Sequence, residues 1–191
     1  MKIMYENILS CDIAIFKCLN GNLGGFVDAL MVMLSSKITL VATILVTLIA
    51  LFKRLNRREF VYTFVGVLLI VLVADQTCNF FKDYFPRLRP MHEPVLEGFI
   101  YLVDGVRGGI SGTVSAHAAN SFGTLVFLSL IVKKRWYMIS VIILAALISY
   151  SRIYLGFHYL LDVTYGTILG FTVAFGFKCI MGKLLKKVSQ Y

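Results

Sequence analysis

The chain has 191 residues, 59% of them hydrophobic and 15% charged, with a mean hydropathy of +0.82. A soluble domain carries roughly 25% charged residues, and the apolar residues here come in long blocks with few polar positions, which excludes a water-soluble helical core and points to membrane spans. The net charge of +9 sits in short stretches beside those blocks, the pattern of membrane topology and not of nucleic-acid binding.

In chain order, the opening stretch MKIMYENILSCDIAIF carries Glu6 and Asp12 where a cleavable signal needs an uninterrupted apolar region. The mixed pattern over 5–19 suits a helix lying along the interface. GGFVDALMVMLSS at 24–36 is apolar but short, which fits a re-entrant or interfacial helix, or a segment joined to the next span as a sixth crossing. Five spans follow, at 37–53, 59–81, 115–132, 136–151 and 160–180. The expectation is an all-α polytopic bundle with five or six transmembrane helices and an interfacial N-terminal helix, forming one domain over 1–191. No internal repeat or long linker breaks it. Cys11, Cys18, Cys78 and Cys179 show no CxxC and no metal-like spacing with histidine, and read as small apolar residues.

Basic residues set the sidedness. Lys53, Arg54, Arg57 and Arg58 join the first two spans, Lys133, Lys134 and Arg135 join the third and fourth, and Lys178, Lys183, Lys186 and Lys187 come at the end. These lie on one side if the spans alternate, and the positive-inside rule makes that side cytoplasmic. Loop 82–114 and turn 152–159 then face outward together. That outer side still holds Lys82, Arg87, Arg89, Arg107 and Arg152, against the topology rule. Arg107 reads as a headgroup contact; the others need another purpose.

Three stretches meet on the outer face: KDYFPRLRP at 82–90, VSAH at 114–117 and SRIYLGFHYLLD at 151–162. They offer the cations Lys82, Arg89 and Arg152, the hydroxyl of Ser115, His117, His158 and the carboxylate of Asp162. This inventory fits phosphoryl transfer, in which cations hold spread negative charge and histidine serves as nucleophile or proton donor. His158 and Asp162 are four apart and share a face if helical. Asp162 would then fix the ring tautomer and leave the other nitrogen free for attack. Ser115 and His117 stand where the third span begins, and a helix N-terminus there presents free N–H groups to an anion. The plainer readings are a structural His–Asp bond, snorkelling cations and a Ser115 helix cap.

These motifs resemble those of the type 2 phosphatidic acid phosphatase superfamily, which also contains the vanadium haloperoxidases. Its motifs run Lys, six residues, Arg-Pro; then Pro-Ser-Gly-His; then Ser-Arg, five residues, His, three residues, Asp. The first and third are complete here. In the second, Val114 replaces Pro and Ala116 replaces Gly, while the Ala116 amide remains a donor. The resemblance covers 82–162. It implies a metal-independent, cofactor-free phosphatase in which His158 attacks phosphorus, Asp162 orients it and His117 protonates the leaving oxygen. Lys82, Arg89, Arg152, Ser115 and the Ala116 amide would hold the phosphate.

The longer stretch RPMHEPVLEGFIYLVDGVRGGISGTVSAHAANSFG is similar to small bacterial members that act on undecaprenyl diphosphate. The expected function is therefore hydrolysis of undecaprenyl diphosphate at the outer face of a bacterial inner membrane. Lipid A, phosphatidylglycerolphosphate and phosphatidate phosphatases are the alternatives, with the lipid bilayer as partner and no nucleic acid. Haloperoxidase chemistry is opposed by the spans. A transporter would bury charges mid-span, and only Asp75 and Asp162 lie deeper than the span ends.

Overall fold

The structure, a computed structural model, describes residues 2–188, with side chains over 7–185. The side chains of Lys186 and Lys187 lie outside the described residues. The described residues form seven α-helices: α1 Lys2–Leu19, α2 Gly25–Ser35, α3 Lys37–Phe52, α4 Arg57–Tyr84, α5 Ala116–Val132, α6 Arg135–Tyr154 and α7 Leu160–Val188. Two short 3-10 turns, Pro90–His92 and Pro94–Leu96, interrupt the long connection between α4 and α5.

Local chemistry sets the helix ends. Asn56 and Glu59 form a reciprocal capping box at the start of α4, through Glu59 N–H to Asn56 Oδ1 at 2.9 Å and Asn56 N–H to Glu59 Oε2 at 3.2 Å. Ser36 is extended, and its Oγ accepts from Ile38 N–H at 3.1 Å to cap α3. That one residue turns the chain by 60° between α2 and α3. Segment 24–36 is therefore α2, joined to the next span in the geometry of a broken span or re-entrant turn. Helices α4, α6 and α7 are long and apolar enough to cross a membrane, and the bent α2–α3 pair makes a fourth candidate.

Helix α5 is the axis of the bundle. Its 17 residues span about 25 Å, and Ala118, Ala119 and all of 121–129 are buried. Helices α4, α6 and α7 pack around it. Contact with α7 relies on glycine, as membrane helices do when their backbones approach closely. A Cβ on Gly170 would stand 2.7 Å from the Ala119 carbonyl and 2.9 Å from the Gly123 amide. Gly66 of α4 makes room in the same way for the Phe127 ring. The hydroxyls of Ser121, Thr124 and Ser129 bond back to carbonyls three or four residues earlier, so none of these three donors is stranded. The outer faces of α3, α4, α6 and α7 expose Ile38, Val46, Phe52, Leu68, Leu72, Ile143 and Ile168. Apolar outside and closely packed inside is the arrangement a bilayer demands.

The basic α3–α4 and α5–α6 connections lie at one end of the bundle, and Lys178 of α7 comes near Lys133 and Glu59 there. The α4–α5 connection and the α6–α7 turn close the other end. Cys11, Cys18, Cys78 and Cys179 are all unpaired.

Candidate active site

Beyond α4 the chain doubles back on itself. Leu88 and Ser111 form a lone antiparallel bridge, with Arg89 N–H donating to the Ile110 carbonyl at 3.0 Å and Gly112 N–H to the Arg87 carbonyl at 2.9 Å. Arg89 Nε then donates to the Ser111 carbonyl at 2.9 Å. The two strands can close only over glycine: a Cβ on Gly112 would meet Arg89 Cγ at 2.8 Å and His158 Cε1 at 3.2 Å. At the end of α6, Gly156 adopts φ +73°, and the Phe157 and His158 amides both donate to the Arg152 carbonyl. This compact turn sets His158 beside Arg152. Ser115 N–H donates to the Asp162 carbonyl at 3.0 Å, joining the starts of α5 and α7.

A cavity of about 550 Å³ opens between α3, α4, α5 and the α6–α7 turn. Lys82, Arg89, Ala116, His117, Arg152 and His158 line it. Asp162 does not reach it. It is 1% exposed and lies behind His158, its Oδ2 accepting from His158 Nδ1 at 3.3 Å and from Tyr159 N–H at 3.0 Å. The pair does not lie along one helix, as the four-residue spacing suggested. His158 ends the turn and Asp162 opens α7, so the carboxylate also caps that helix. Ser115 is fully buried as the N-cap of α5, its Oγ accepting from Ala118 N–H at 3.4 Å. His92, Glu93, Glu97 and Asp104, polar residues of the α4–α5 connection placed by sequence to meet a headgroup, do not line the cavity.

The cavity has the character of an anion site. Arg152 is 7% exposed, stacks 3.9 Å from the Phe157 ring and donates through Nη1 to Ser35 Oγ. Its buried Nε has no partner among the described residues. A buried N–H without an acceptor is costly, and an anion in the cavity would supply one. Burial first, then the charges of Arg152, Arg89 and Lys82, holds the His158 imidazole well below its usual 6.5. His158 is thus neutral near pH 7. With Nδ1–H directed at Asp162, the Nε2 lone pair is left available. The acid limb of kcat/KM that reports His158 protonation is expected below pH 6.5, with no loss attributable to this group above it; a limb at or above 6.5 in a pH–rate profile would refute the desolvated, cation-flanked ring. Among the described residues, no group of three His, Cys, Asp or Glu side chains is placed to hold a metal.

Several contacts had no signal in the sequence beyond residue type. Arg87 Nη1 donates to Asp12 Oδ2 at 2.7 Å and to Asp162 Oδ1 at 3.4 Å, and its guanidinium stacks 3.8 Å from the Tyr159 ring. Asp12, on α1 and 2% exposed, also accepts from Leu161 N–H at 3.1 Å. Arg87 stands inside the six-residue gap of the first motif and could have been suspected there; Asp12 could not. Lys37, Asp75, Asn79 and Asn120 also line the cavity.

Known proteins place this architecture. The PAP2 superfamily profile matches residues 61–186. The chain is 34% identical over 169 residues to the lipid A 4'-phosphatase of Porphyromonas gingivalis, across 88% of this chain and 72% of that protein. It is 36% identical over 169 residues to the lipid A 4'-phosphatase of Bacteroides thetaiotaomicron, across 87% and 75%. The fold superposes with a TM-score of 0.74 and 20% identity on the crystal structure of the first transmembrane PAP2 type phosphatidylglycerolphosphate phosphatase from Bacillus subtilis, over 93% of this chain and 87% of that one. Aquifex aeolicus LpxE gives 0.64 and 20%, over 86% and 93%. With the family profile over most of its length and these relatives alongside it, the chain belongs to the PAP2 superfamily and is a membrane-embedded phosphatase.

Proposed function

We propose that this phosphatase removes the 4'-phosphate of lipid A at the outer face of a bacterial inner membrane, through a phosphohistidine on His158. The observation that carries the chemistry is the convergence of Lys82, Arg89, Arg152, His117 and His158 on one cavity, with Asp162 behind His158. The substrate reading draws on the two curated relatives, which match nearly nine-tenths of the chain. It replaces undecaprenyl diphosphate, which rested on the 89–123 stretch alone. The outward orientation follows from the basic connections at the opposite end.

In the first half-reaction His158 Nε2 attacks phosphorus. The P–N bond forms, the P–O bond to the sugar breaks, and His117 protonates the departing oxygen. Asp162 accepts the Nδ1 proton of His158 in a hydrogen bond and stabilises the cationic ring. Lys82, Arg89 and Arg152 hold the equatorial oxygens as charge shifts among them. The Ala116 amide, a free donor at the start of α5, adds to this cradle, and Ser115 shapes it as the cap. In the second half-reaction water attacks phosphorus, His117 takes its proton, the P–N bond breaks and inorganic phosphate leaves.

The test is phosphate release by the purified protein in detergent containing EDTA, with bisphosphorylated lipid A and undecaprenyl diphosphate offered separately. The expected result is release from lipid A, with mass spectrometry locating the loss at the 4' position. Release from undecaprenyl diphosphate alone would overturn the substrate.

A further inference from the structure

The phosphate-binding end is only the upper part of the cavity. Below it, towards the bilayer centre, the wall splits in two. On the α3 side it is apolar beyond Lys37, with Leu40, Val41 and Ile44. On the α4–α5 side it is polar as far as Val71, formed by Asp75, Asn79 and Asn120. A carboxylate in a membrane helix is costly to keep and calls for a function. None of these three residues has a part in the phosphoryl-transfer steps.

Their positions follow from helix geometry. Asn79 precedes Lys82 by three residues and Asp75 precedes it by seven, so all three share one face of α4 over about 10 Å. Asn120 follows His117 by three residues on α5, one turn deeper. Asn120 Nδ2 donates to Asp75 Oδ1 at 2.7 Å. That bond fixes the amide orientation by chemistry, because only the NH₂ can face a carboxylate. Asn120 Oδ1 is consequently left buried without a donor among the described residues. The wall therefore presents two acceptors, the Asp75 carboxylate and Asn120 Oδ1, with the Asn79 amide beside them.

In-line displacement says what lies against it. Attack by His158 sends the leaving group away on the side of His117, the proton donor. Continuing past His117 along α5 leads to Asn120, and across its hydrogen bond to Asp75. We propose that Asp75, Asn79 and Asn120 form a leaving-group subsite that accepts hydrogen bonds from hydroxyl or amide groups borne by the departing alcohol. The inference rests on the catalytic reading above and sharpens its substrate class. The glucosamine of lipid A carries such groups. A prenyl phosphate leaving group carries none, and its negative charge would face Asp75. A site built to bond such donors discriminates strongly against analogues without them, because its own polar groups are then left unpaired.

The experiment compares kcat/KM of wild type, Asp75→Asn and Asn120→Ala in detergent micelles. Lipid A and phosphatidylglycerolphosphate have donor-bearing leaving groups; phosphatidate and undecaprenyl diphosphate do not. Circular dichroism and thermal melting confirm folding, and Asp75→Asn keeps the shape of the side chain. The expected result is that the ratio of donor-bearing to donor-free kcat/KM falls about 10–100-fold in Asp75→Asn. An unchanged ratio, whether both activities fall together or neither does, overturns the subsite. So does a wild type active only on donor-free lipids. If wild type cleaves phosphatidylglycerolphosphate but not lipid A, and Asp75→Asn lowers the ratio, the subsite stands while the lipid A reading fails.

Discussion

Replacing His158 with alanine or glutamine is expected to lower kcat on lipid A by on the order of 10⁴-fold or more, while KM changes little. The size follows from the division of labour. In the proposed mechanism the cations bind phosphate in the ground state and the transition state alike, so they survive the substitution and keep affinity. The nucleophile acts only along the reaction coordinate, so its loss falls on kcat. Rapid quenching with radiolabelled phosphate on the substrate separates this from a general packing defect. Wild type should carry a label that is stable in alkali and lost in acid, the signature of a phosphorus–nitrogen bond. His158→Gln, which fills most of the same buried space, should carry none. His117→Gln should still form the label from a substrate such as p-nitrophenyl phosphate, whose leaving group needs no proton. A persistent label in His158→Gln would move the nucleophile to another residue.

The spans and motifs were legible because both signals are local. Hydropathy marks the lipid-facing length of each helix, and all five expected spans are helices. It does not mark the ends. Helix α4 runs from Arg57 to Tyr84, beyond the expected 59–81, because the Asn56–Glu59 capping box starts it in the polar zone. Helix α7 likewise continues past 180 on basic residues that favour a helix in water. The turn at Ser36 carries no glycine or proline to announce it, and a serine suffices because its hydroxyl caps the next helix. The three motif stretches cluster because each borders the same end of the bundle.

Contacts between distant segments were not legible. Asp12 finds Arg87 from 75 positions away, and Ser35 finds Arg152 from 117. Either residue alone reads as an ordinary polar position. Asp75 was visible as a charge deep in a span, but its partner Asn120 and the cavity they share appear only when α4 and α5 pack. The 89–123 stretch, which suggested undecaprenyl diphosphate, does not separate that lipid from the lipid A that the two curated relatives favour, for a related reason. It builds the α4–α5 connection and the start of α5, which border the same end of the cavity whatever lipid the site takes, while α3 and α4 supply the rest of its wall.

Arg87 gives the second large effect. It joins two carboxylates, each 1% exposed at the side chain, and is itself 17% exposed. Two buried anions sharing one cation are stable only while it remains, and removing one partner of such a pair costs about 3–5 kcal/mol. Arg87→Met should therefore lower thermal stability sharply and reduce kcat more than KM, because Asp162 loses a constraint on the oxygen that does not hold His158. Arg87→Lys should recover little, since a point charge cannot bond two carboxylates and stack on Tyr159 at once. The decisive comparison is a double-mutant cycle with Asp12→Asn. In wild type, Asp12→Asn should destabilise by weakening the hold on Arg87 and on the Leu161 amide. In the Arg87→Met background the same change should stabilise, because it removes one of two uncompensated buried charges. A reversal of sign between backgrounds, read by thermal melting, is what a shared cation requires. Two independent contacts would give simple addition, and α1 would then be a cover over the catalytic turn and not part of its electrostatics.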